Sequence, residues 1–322
     1  MTGALLVDKP SGPTSHDVVA FTRRLLKSSR VGHTGTLDPL ATGLLVLLVG
    51  SATRLARFLV ADEKEYIADI RLGMATPTYD AASLSDVRGP GCDVRGPACE
   101  VRGSKSEVRS PVGAELEAVL NRFRGVFLQT PPPYSAKKVG GVAAYEKARK
   151  NQPVELRPVE VTVRELELLP TDTDTDTAAD TGTELLRLRV VASAGFYVRS
   201  LAHDLGQALG CGAHLEALRR TRVGRFRIED AATLDQLQAH PHPAERIVPV
   251  NALLSDFPAV TVNAEGLRRA ANGNPLGSRH LEGTAGSVPL APVFRVLDAS
   301  GETMAVAEGR PDGLLHPVVV LG

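Results

Sequence analysis

The sequence predicts an α+β protein that has a large N-terminal unit and a smaller C-terminal β unit. Both strand-like and helix-like segments occur up to about Pro243, which indicates a unit of mixed secondary structure. Beyond Pro243, short apolar runs separated by glycine turns predict a small β domain. A length of 322 residues is also sufficient for two domains. We therefore expect a boundary near residues 248–258, between a first domain of residues 1–250 and a second of residues 251–322.

The N-terminal unit is predicted to start with a strand over residues 3–8 and a helix that begins near Thr14 or Ser15. Asp17 stands three residues after Thr14, which is the spacing of a capping box. The later elements are predicted in chain order: helices over residues 52–60, 115–124, 141–150 and 196–209, and strands over residues 64–72, 160–169, 184–192, 259–262, 293–297, 302–307 and 318–321.

Two low-complexity segments interrupt the N-terminal unit. Between residues 85 and 111, Val-Arg pairs recur every seven residues, but the glycines and prolines of the same repeat are incompatible with a helix. Residues 171–183 alternate threonine with aspartate. We expect both inserts to be exposed, poorly ordered loops without catalytic function. Cys92 and Cys99 occupy corresponding places in the repeat, so repetition explains them better than a disulfide.

Composition is that of a globular protein, with 43% apolar and 23% charged residues. A net charge of zero argues at first against nucleic-acid binding, since phosphates attract a basic surface. The charges are unevenly distributed, however, because residues 171–184 are purely acidic while residues 218–227 hold five arginines and no acid. Electroneutrality therefore does not exclude RNA. The alternative for the arginine run is a solvated helix and strand surface.

The sequence also bears on where the protein is located and on whether it has a metal site. No apolar run approaches the roughly 18 residues of a membrane helix, and the N-terminus lacks the pattern of a secretion signal. The three cysteines do not have the spacing of a metal site. We expect a cytoplasmic protein that is not associated with a membrane and has no zinc site.

The most informative segment is residues 32–43, GHTGTLDPLATG, which carries the carboxylate of Asp38. Glycines and hydroxyl side chains precede Asp38 and a proline follows it, which predicts a loop. The apolar residues 44–49 should be buried, so Asp38 is expected at the edge of a dry interior, where a carboxylate can act as a nucleophile or base. The alternative is a plain Asx-type turn that closes a loop before a core strand.

This segment resembles the GHTG-x-LDP-x-ATG signature of the TruB-type tRNA pseudouridine synthases, in which the aspartate of this loop is catalytic. The resemblance extends over almost the whole chain. It implies a pseudouridine-synthase-type mixed, largely antiparallel sheet flanked by helices. It also implies, more weakly, a small PUA-like RNA-binding domain at the C-terminus, where residues 272–275 match.

The activity that the resemblance implies is conversion of uridine 55 in the T-arm loop of tRNA to pseudouridine. The N1–C1′ bond breaks and the base rejoins the sugar through C5, so neither a cofactor nor a metal ion is required. Asp38 would act as a nucleophile at the sugar or as a base, and the sequence does not choose between these roles. The partner is tRNA; no protein partner is implied, and a monomer is expected.

Further catalytic candidates follow from the same resemblance. Tyr66 would stack on the target base and take part in removing its C5 proton, although an isolated tyrosine on a strand more often serves packing. Arg199, in the segment AGFYVRS, would pair with Asp38 and keep it ionised. Without the family match, an ordinary structural ion pair would be the better interpretation of Arg199.

Substrate-binding candidates complete the expected site. His33 would help to hold the target nucleotide out of its stack, Tyr197 would line the pocket, and Leu218 would close it. Lys9, at the turn after the first strand, would meet a phosphate. Arg219 and Arg220 are expected to contact the RNA backbone. For His33 and Lys9, a loop histidine bonded to the backbone and a plain surface lysine are the respective alternatives.

One departure and one alternative function stay open. Lys137 stands where relatives carry an apolar residue, which affects local packing or an RNA contact but not the chemistry. The alternative function is a non-catalytic RNA-binding or RNA-folding protein on the same scaffold. The two functions differ in whether the Asp38 carboxylate is required.

Overall fold

The structure, a computed structural model, describes residues 1–60, 63–85, 113–135, 138–139, 142–143, 156–170, 185–282 and 292–321. Its strands are β1 (Gly3–Lys9), β2 (Val31–His33), β3 (Thr42–Val49), β4 (Lys64–Leu72), β5 (Gly125–Gln129), β6 (Lys138–Val139), β7 (Val142–Ala143), β8 (Val159–Leu169), β9 (Leu185–Ala192), β10 (Ala213–Val223), β11 (Phe226–Arg227), β12 (Ala232–Thr233), β13 (Val248–Pro249), β14 (Ala259–Thr261), β15 (Val293–Leu297), β16 (Thr303–Gly309) and β17 (Leu315–Val320). Its α-helices are α1 (Ser15–Leu25), α2 (Ala56–Leu59), α3 (Ala82–Ser85), α4 (Gly113–Asn121), α5 (Val198–Ala208), α6 (Leu234–Ala239), α7 (Val250–Leu253) and α8 (Ala264–Ala271).

Within the described residues, the large sheet has eleven strands in the order β12-β1-β3-β10-β4-β9-β8-β5, with β2, β11 and β13 attached at its side. Most neighbours are antiparallel, whereas the pairs β1/β12 and β3/β10 are parallel. This arrangement confirms the predicted mixed, largely antiparallel sheet. The parallel pair β3/β10 matters most for the site, because it brings residues far apart in sequence beside each other.

Strands β1 and β3 are buried on both faces, which explains the unbroken apolar run of residues 44–49. Leu45 and Leu47 face the main core, which α1 and α5 cover. Leu44 and Leu48 face the opposite side, where they pack against Val306 and other residues of the C-terminal sheet. The prediction that this run is buried is confirmed, so the loop that precedes it is anchored on a rigid strand.

The helix α1 begins with the predicted capping box. The Thr14 side chain accepts a hydrogen bond from the Asp17 backbone amide, and the Asp17 carboxylate accepts one from the Thr14 amide. Two donors at the helix start are thereby satisfied, which fixes where α1 begins. Its first residue, Ser15, is buried and points at the loop that carries Asp38.

The C-terminal sheet has four strands in the order β14-β15-β16-β17. Helix α8 covers it, and Val260, Phe294 and Val296 belong to a core of its own. The four predicted strands are confirmed with small shifts at their ends, whereas α8 was not predicted. No helix in the described part of the chain is long and apolar enough to span a membrane.

Several elements differ from the sequence prediction. Residues 52–60 form a 3₁₀ helix, Gly50–Leu55, followed by the single turn of α2, instead of one α-helix. Residues 142–143, expected in a helix, form the short strand β7. Strand β10 was not predicted, because its arginines hide the strand pattern. Most of the two inserts, Lys137 and the rest of the predicted 141–150 helix lie outside the described residues.

Candidate active site

Asp38 lies in the loop between β2 and β3, as predicted, and neighbouring side chains bind the backbone of this loop. The Ser15 hydroxyl donates to the Leu37 carbonyl at 3.0 Å and accepts from the Leu37 amide at 2.8 Å. The backbone amide of Gly12 donates to the Pro39 carbonyl at 2.9 Å. These bonds fix the loop on both sides of Asp38, and therefore hold its carboxylate at a set place.

Gly43 allows the loop to join the sheet. Its φ is +99°, and a Cβ atom there would lie 2.3 Å from the backbone carbonyl oxygen of Arg220 on β10. Only glycine accommodates both the left-handed backbone and this close approach. The loop can thus enter β3 directly beside β10, which carries further residues of the site.

Arg199, on the first turn of α5, pairs with Asp38 as the resemblance implied. Its Nε lies 3.0 Å from Asp38 Oδ2, and its Nη2 donates to Asp38 Oδ1 at 3.2 Å. The Arg199 side chain is 7% exposed, whereas that of Asp38 is 38% exposed. The guanidinium is therefore fixed inside the protein, while the carboxylate is open to the cavity in front of it.

A second carboxylate shares the same guanidinium. Asp80 is buried and its Oδ2 lies 3.5 Å from Arg199 Nη1. The carbonyls of Thr78 and Tyr134 also accept hydrogen bonds from Arg199, at 3.2 and 2.9 Å. Arg199 is thus held by several acceptors at once, which leaves it little freedom to move away from Asp38.

The environment of Asp38 contains opposing electrostatic effects. Burial raises the pKa of the Asp38 carboxyl, and the nearby Asp80 acts in the same direction. The charges of Arg199 and Lys9 oppose this change by favouring the carboxylate. The pKa of Asp38 is raised overall, and a perturbed pKa is typical of ionisable groups at functional sites.

In front of Asp38 is a cavity of about 270 Å³, whose lining includes Tyr66, Tyr197, Leu218 and Phe196. Tyr66 lies on the central strand β4, Leu218 on β10, and Tyr197 directly before α5. The structure therefore brings Asp38, Tyr66, Arg199, Tyr197 and Leu218 together around one cavity. An apolar and aromatic wall beside a carboxylate that is open to the cavity suits a planar base attached to a sugar.

Two predicted cations do not reach the surface. Lys9 is fully buried and donates to the carbonyls of Pro10 and Pro39, at 2.8 and 3.3 Å, so no phosphate can contact it in this structure. Burial lowers its pKa to about 8. Arg220 is 2% exposed and binds loop carbonyls, so its expected contact with the RNA backbone is wrong for this conformation. Both side chains instead support the Asp38 loop from below.

His33 and Arg219 lie outside the cavity lining. The His33 ring packs edge-on against His16 with centroids 5.6 Å apart, and its buried Nδ1 has no hydrogen-bond partner among the described residues. Burial lowers the pKa of His33, which favours the neutral ring. Arg219 is exposed and forms two hydrogen bonds with Asp8, at 2.7 and 3.1 Å. Both remain candidates for contacts with RNA beyond the cavity.

Sequence reasoning missed three residues of this site. Asp80 carries no motif by itself, although the cluster of threonines before it could have indicated a structured turn. Ser135 is buried and lines the cavity, and its hydroxyl has no hydrogen-bond partner among the described residues. Gln129 binds the backbone of Tyr197 through two hydrogen bonds, of 2.8 and 3.0 Å. Asp80 and Gln129 bind residues distant in sequence, and only the fold brings Ser135 to the cavity, so local patterns could not reveal them.

Comparison with known proteins identifies the family and the fold of the chain. Residues 23–88 and 95–198 match the N-terminal domain of the TruB family pseudouridylate synthases, and residues 199–255 match the C-terminal domain of tRNA pseudouridylate synthase B. A chain in the structure of an H/ACA RNP bound to a substrate RNA containing 2′-deoxyuridine superposes with a TM-score of 0.67. It is 22% identical, and the match covers 99% of this chain and 85% of that one. The fold is thus that of the pseudouridine synthases.

Comparison with individual proteins identifies relatives of higher sequence identity. The tRNA pseudouridine synthase B of Solibacter usitatus is 42% identical over the full length of both chains. The tRNA pseudouridine synthase B of Aquifex aeolicus is 41% identical over 82% of this chain and 83% of its own. That of Thermobifida fusca is 42% identical over 99% of this chain and 98% of its own. The chain belongs to the TruB family of pseudouridine synthases.

Proposed function

We propose that this chain converts uridine 55 in the T-arm loop of tRNA to pseudouridine, with Asp38 as the group that reacts with the sugar or acts as the base. The observation that carries the proposal is the pair of Asp38 and Arg199 at the wall of an aromatic cavity. Full-length relatives named tRNA pseudouridine synthase B support the substrate class.

The chemistry needs only one reacting carboxylate. The N1–C1′ bond breaks with its electron pair staying on uracil, and a new C5–C1′ bond forms once the base has turned. N1 gains a proton and C5 loses one, so atoms and charge balance without water or a cofactor. Glycoside hydrolysis needs two carboxylates because a water must attack and a separate group must leave. Here the base fills both roles, and Asp38 suffices.

The cavity must receive a base that has left its stack in the RNA loop. Such extrusion costs a few kcal/mol, which stacking and polar contacts offset. Tyr66 would provide the aromatic face, while Tyr197 and Leu218 would enclose the base from the other sides. His33 and Arg219, which lie outside the cavity, would contact the neighbouring nucleotides.

The remaining RNA contacts belong to the C-terminal part of the chain. We assign residues 251–322 to a PUA-like domain that holds the tRNA by shape and backbone contacts. The separate four-stranded sheet with its own core supports this assignment. We also propose that the chain acts as a monomer in the cytoplasm, without a protein partner. Light scattering of the purified chain would test the monomer, and turnover by the purified chain alone would test the independence from partners.

The test is incubation of the purified chain with an unmodified tRNA transcript, followed by mapping of pseudouridine along the RNA. The wild type should modify position 55 alone, and Asp38→Asn should form no product while still binding the tRNA. Asp69→Asn is the matched control, since Asp69 pairs with Arg187 on the sheet and does not line the cavity. Binding without any product by the wild type would instead indicate a non-catalytic RNA-binding protein.

A further inference from the structure

Arg220 is a buried cation in the wall of the cavity. It lies on β10, it is 2% exposed, and it is among the residues that line the space in front of Asp38. Its partner in strand register is Tyr66 on β4, so the two side chains are neighbours on one face of the sheet. Tyr66 and Arg220 both line the cavity, so the phenol ring and the guanidinium belong to the same wall.

The acceptors that Arg220 binds are neutral. Nε donates to the Leu44 carbonyl at 2.7 Å, Nη2 to the Gly35 carbonyl at 3.1 Å, and Nη1 to the Thr36 carbonyl at 3.5 Å. Among the described residues, no carboxylate oxygen lies within ion-pair distance of Arg220. Its donors are therefore largely satisfied, but its charge is not neutralised.

Arg199, which also lines the cavity, differs from Arg220 because it has carboxylate partners. Arg199 is shared by two carboxylates, Asp38 and Asp80, so that cluster carries a net negative charge when both acids are ionised. A cation buried without a counterion is costly, so one that lies in the wall of a cavity is a candidate for a functional group that receives an anion there. Burial lowers the pKa of Arg220, but a guanidinium keeps its proton in proteins.

The proposed reaction supplies such an anion. When the N1–C1′ bond breaks, the bonding electron pair stays on uracil, and the detached base carries one negative charge until it rejoins the sugar through C5. This charge is absent from the bound uridine. A fixed cation beside the base therefore stabilises the transition state more than the ground state, which is the condition for faster catalysis.

We propose that Arg220 is the residue that stabilises the negative charge of the detached uracil. The inference rests on the proposed function. It assigns Arg220 an electrostatic role in the reaction, in addition to its place in the cavity wall. The competing explanation is structural, since the bonds to Gly35 and Thr36 also hold the loop that carries Asp38. The two explanations predict different rates when the base is changed. If the role is electrostatic, the loss of rate on removing Arg220 depends on how well the base stabilises negative charge; if the role is structural, it does not.

The experiment compares two target nucleosides in the same tRNA transcript, uridine and 5-fluorouridine. Fluorine withdraws electrons, so the fluorinated base leaves as a more stable anion and needs less help from a cation. Single-turnover rates of N1–C1′ cleavage are measured for the wild type, Arg220→Gln and Arg220→Lys. Arg187→Met is the control for loss of a strand arginine, since Arg187 pairs with Asp69 outside the cavity. Thermal unfolding identifies the variants that fold.

With uridine, Arg220→Gln should lose about 10²-fold in the cleavage rate, the effect of removing one preorganised charge or donor. Arg220→Lys should lose less, because it keeps the charge. With 5-fluorouridine the loss in Arg220→Gln should be several times smaller. An equal loss with both nucleosides, or an unaffected Arg220→Gln, overturns the proposal. Absence of product from the wild type would instead contradict the proposed function, so the two failures are distinguishable. If Arg220→Gln does not fold, the comparison of nucleosides is made with Arg220→Lys. Its charge is displaced from the base, so its loss of rate should also be smaller with 5-fluorouridine than with uridine.

Discussion

Replacing Arg199 with methionine removes the positive charge that Asp38 and Asp80 share. Removing one partner of a buried ion pair typically costs about 3–5 kcal/mol. Water reaches the Asp38 side chain, which is 38% exposed, so screening places the effect near the lower end of this range, about 3 kcal/mol. That cost is a loss of folding stability; for the reaction itself, removal of one preorganised charge from an active site typically slows turnover, and we expect kcat to fall by about 10²-fold.

The pH dependence gives this prediction a specific sign. Burial and Asp80 raise the pKa of Asp38, and Arg199 opposes them, so loss of the guanidinium raises that pKa further. If turnover requires ionised Asp38, the acidic limb of the kcat profile moves to higher pH, and the variant loses less at alkaline than at acidic pH. The assay is single-turnover pseudouridine formation across a pH series.

Arg199→Lys is the matched variant for this experiment. Lysine keeps the charge, but one ammonium cannot reach the two carboxylates and two carbonyls that the guanidinium binds. We expect an intermediate rate and a smaller movement of the acidic limb. An unchanged rate in Arg199→Met, or a slower rate with an unchanged pH profile, would refute the electrostatic explanation.

Three further predictions concern the support of the Asp38 loop. Ser15→Ala should lower the free energy of unfolding by about 1–3 kcal/mol and slow turnover, because both polar groups of Leu37 lose their partner; chemical denaturation and kcat measure this. Gly43→Ala should destabilise the fold more than Gly12→Ala, since both have positive φ but only the former places a Cβ against a backbone carbonyl. Equal melting temperatures of the two variants would contradict this. Lys9 has a pKa of about 8 in the folded chain, against 10.5 for an ordinary lysine side chain, so the unfolded state binds more protons between these values. The wild type should therefore gain stability relative to Lys9→Met as pH rises from about 8 towards 10, by at most about 3 kcal/mol, and parallel unfolding curves would exclude the effect.

The sequence was sufficient for the residues whose role follows from local pattern. The capping box at Thr14, the alternation of β4 around Tyr66 and the turn-rich loop before the apolar run all reflect interactions between near neighbours. Such features depend on spacing alone. They were enough, with the family signature, to place Asp38 on a loop beside a core strand.

The features that were missed depend on contacts across the sheet. In the sequence, strand β10 looks like a run of basic residues. The pairing of β10 with β3 and β4 explains why Arg220 is buried while Arg219 is exposed, and the sequence does not show this pairing. The burial of Lys9 was missed for the same reason, because its hydrogen-bond acceptor, the carbonyl of Pro39, belongs to the Asp38 loop. Asp80 acquires its role only when α5 brings Arg199 beside it. Charge on a residue does not reveal burial when the compensating groups are distant in sequence.

The most direct measurement of the central claim is a crystal structure of the Asp38→Asn variant bound to a T-arm stem-loop RNA that carries the target uridine. We expect the target base to leave the RNA stack and to lie against the Tyr66 ring inside the cavity. The sugar C1′ should then be within about 3.5 Å of the side chain at position 38. A target base that stays stacked in the RNA loop, or a C1′ that faces away from position 38, would contradict this mechanism.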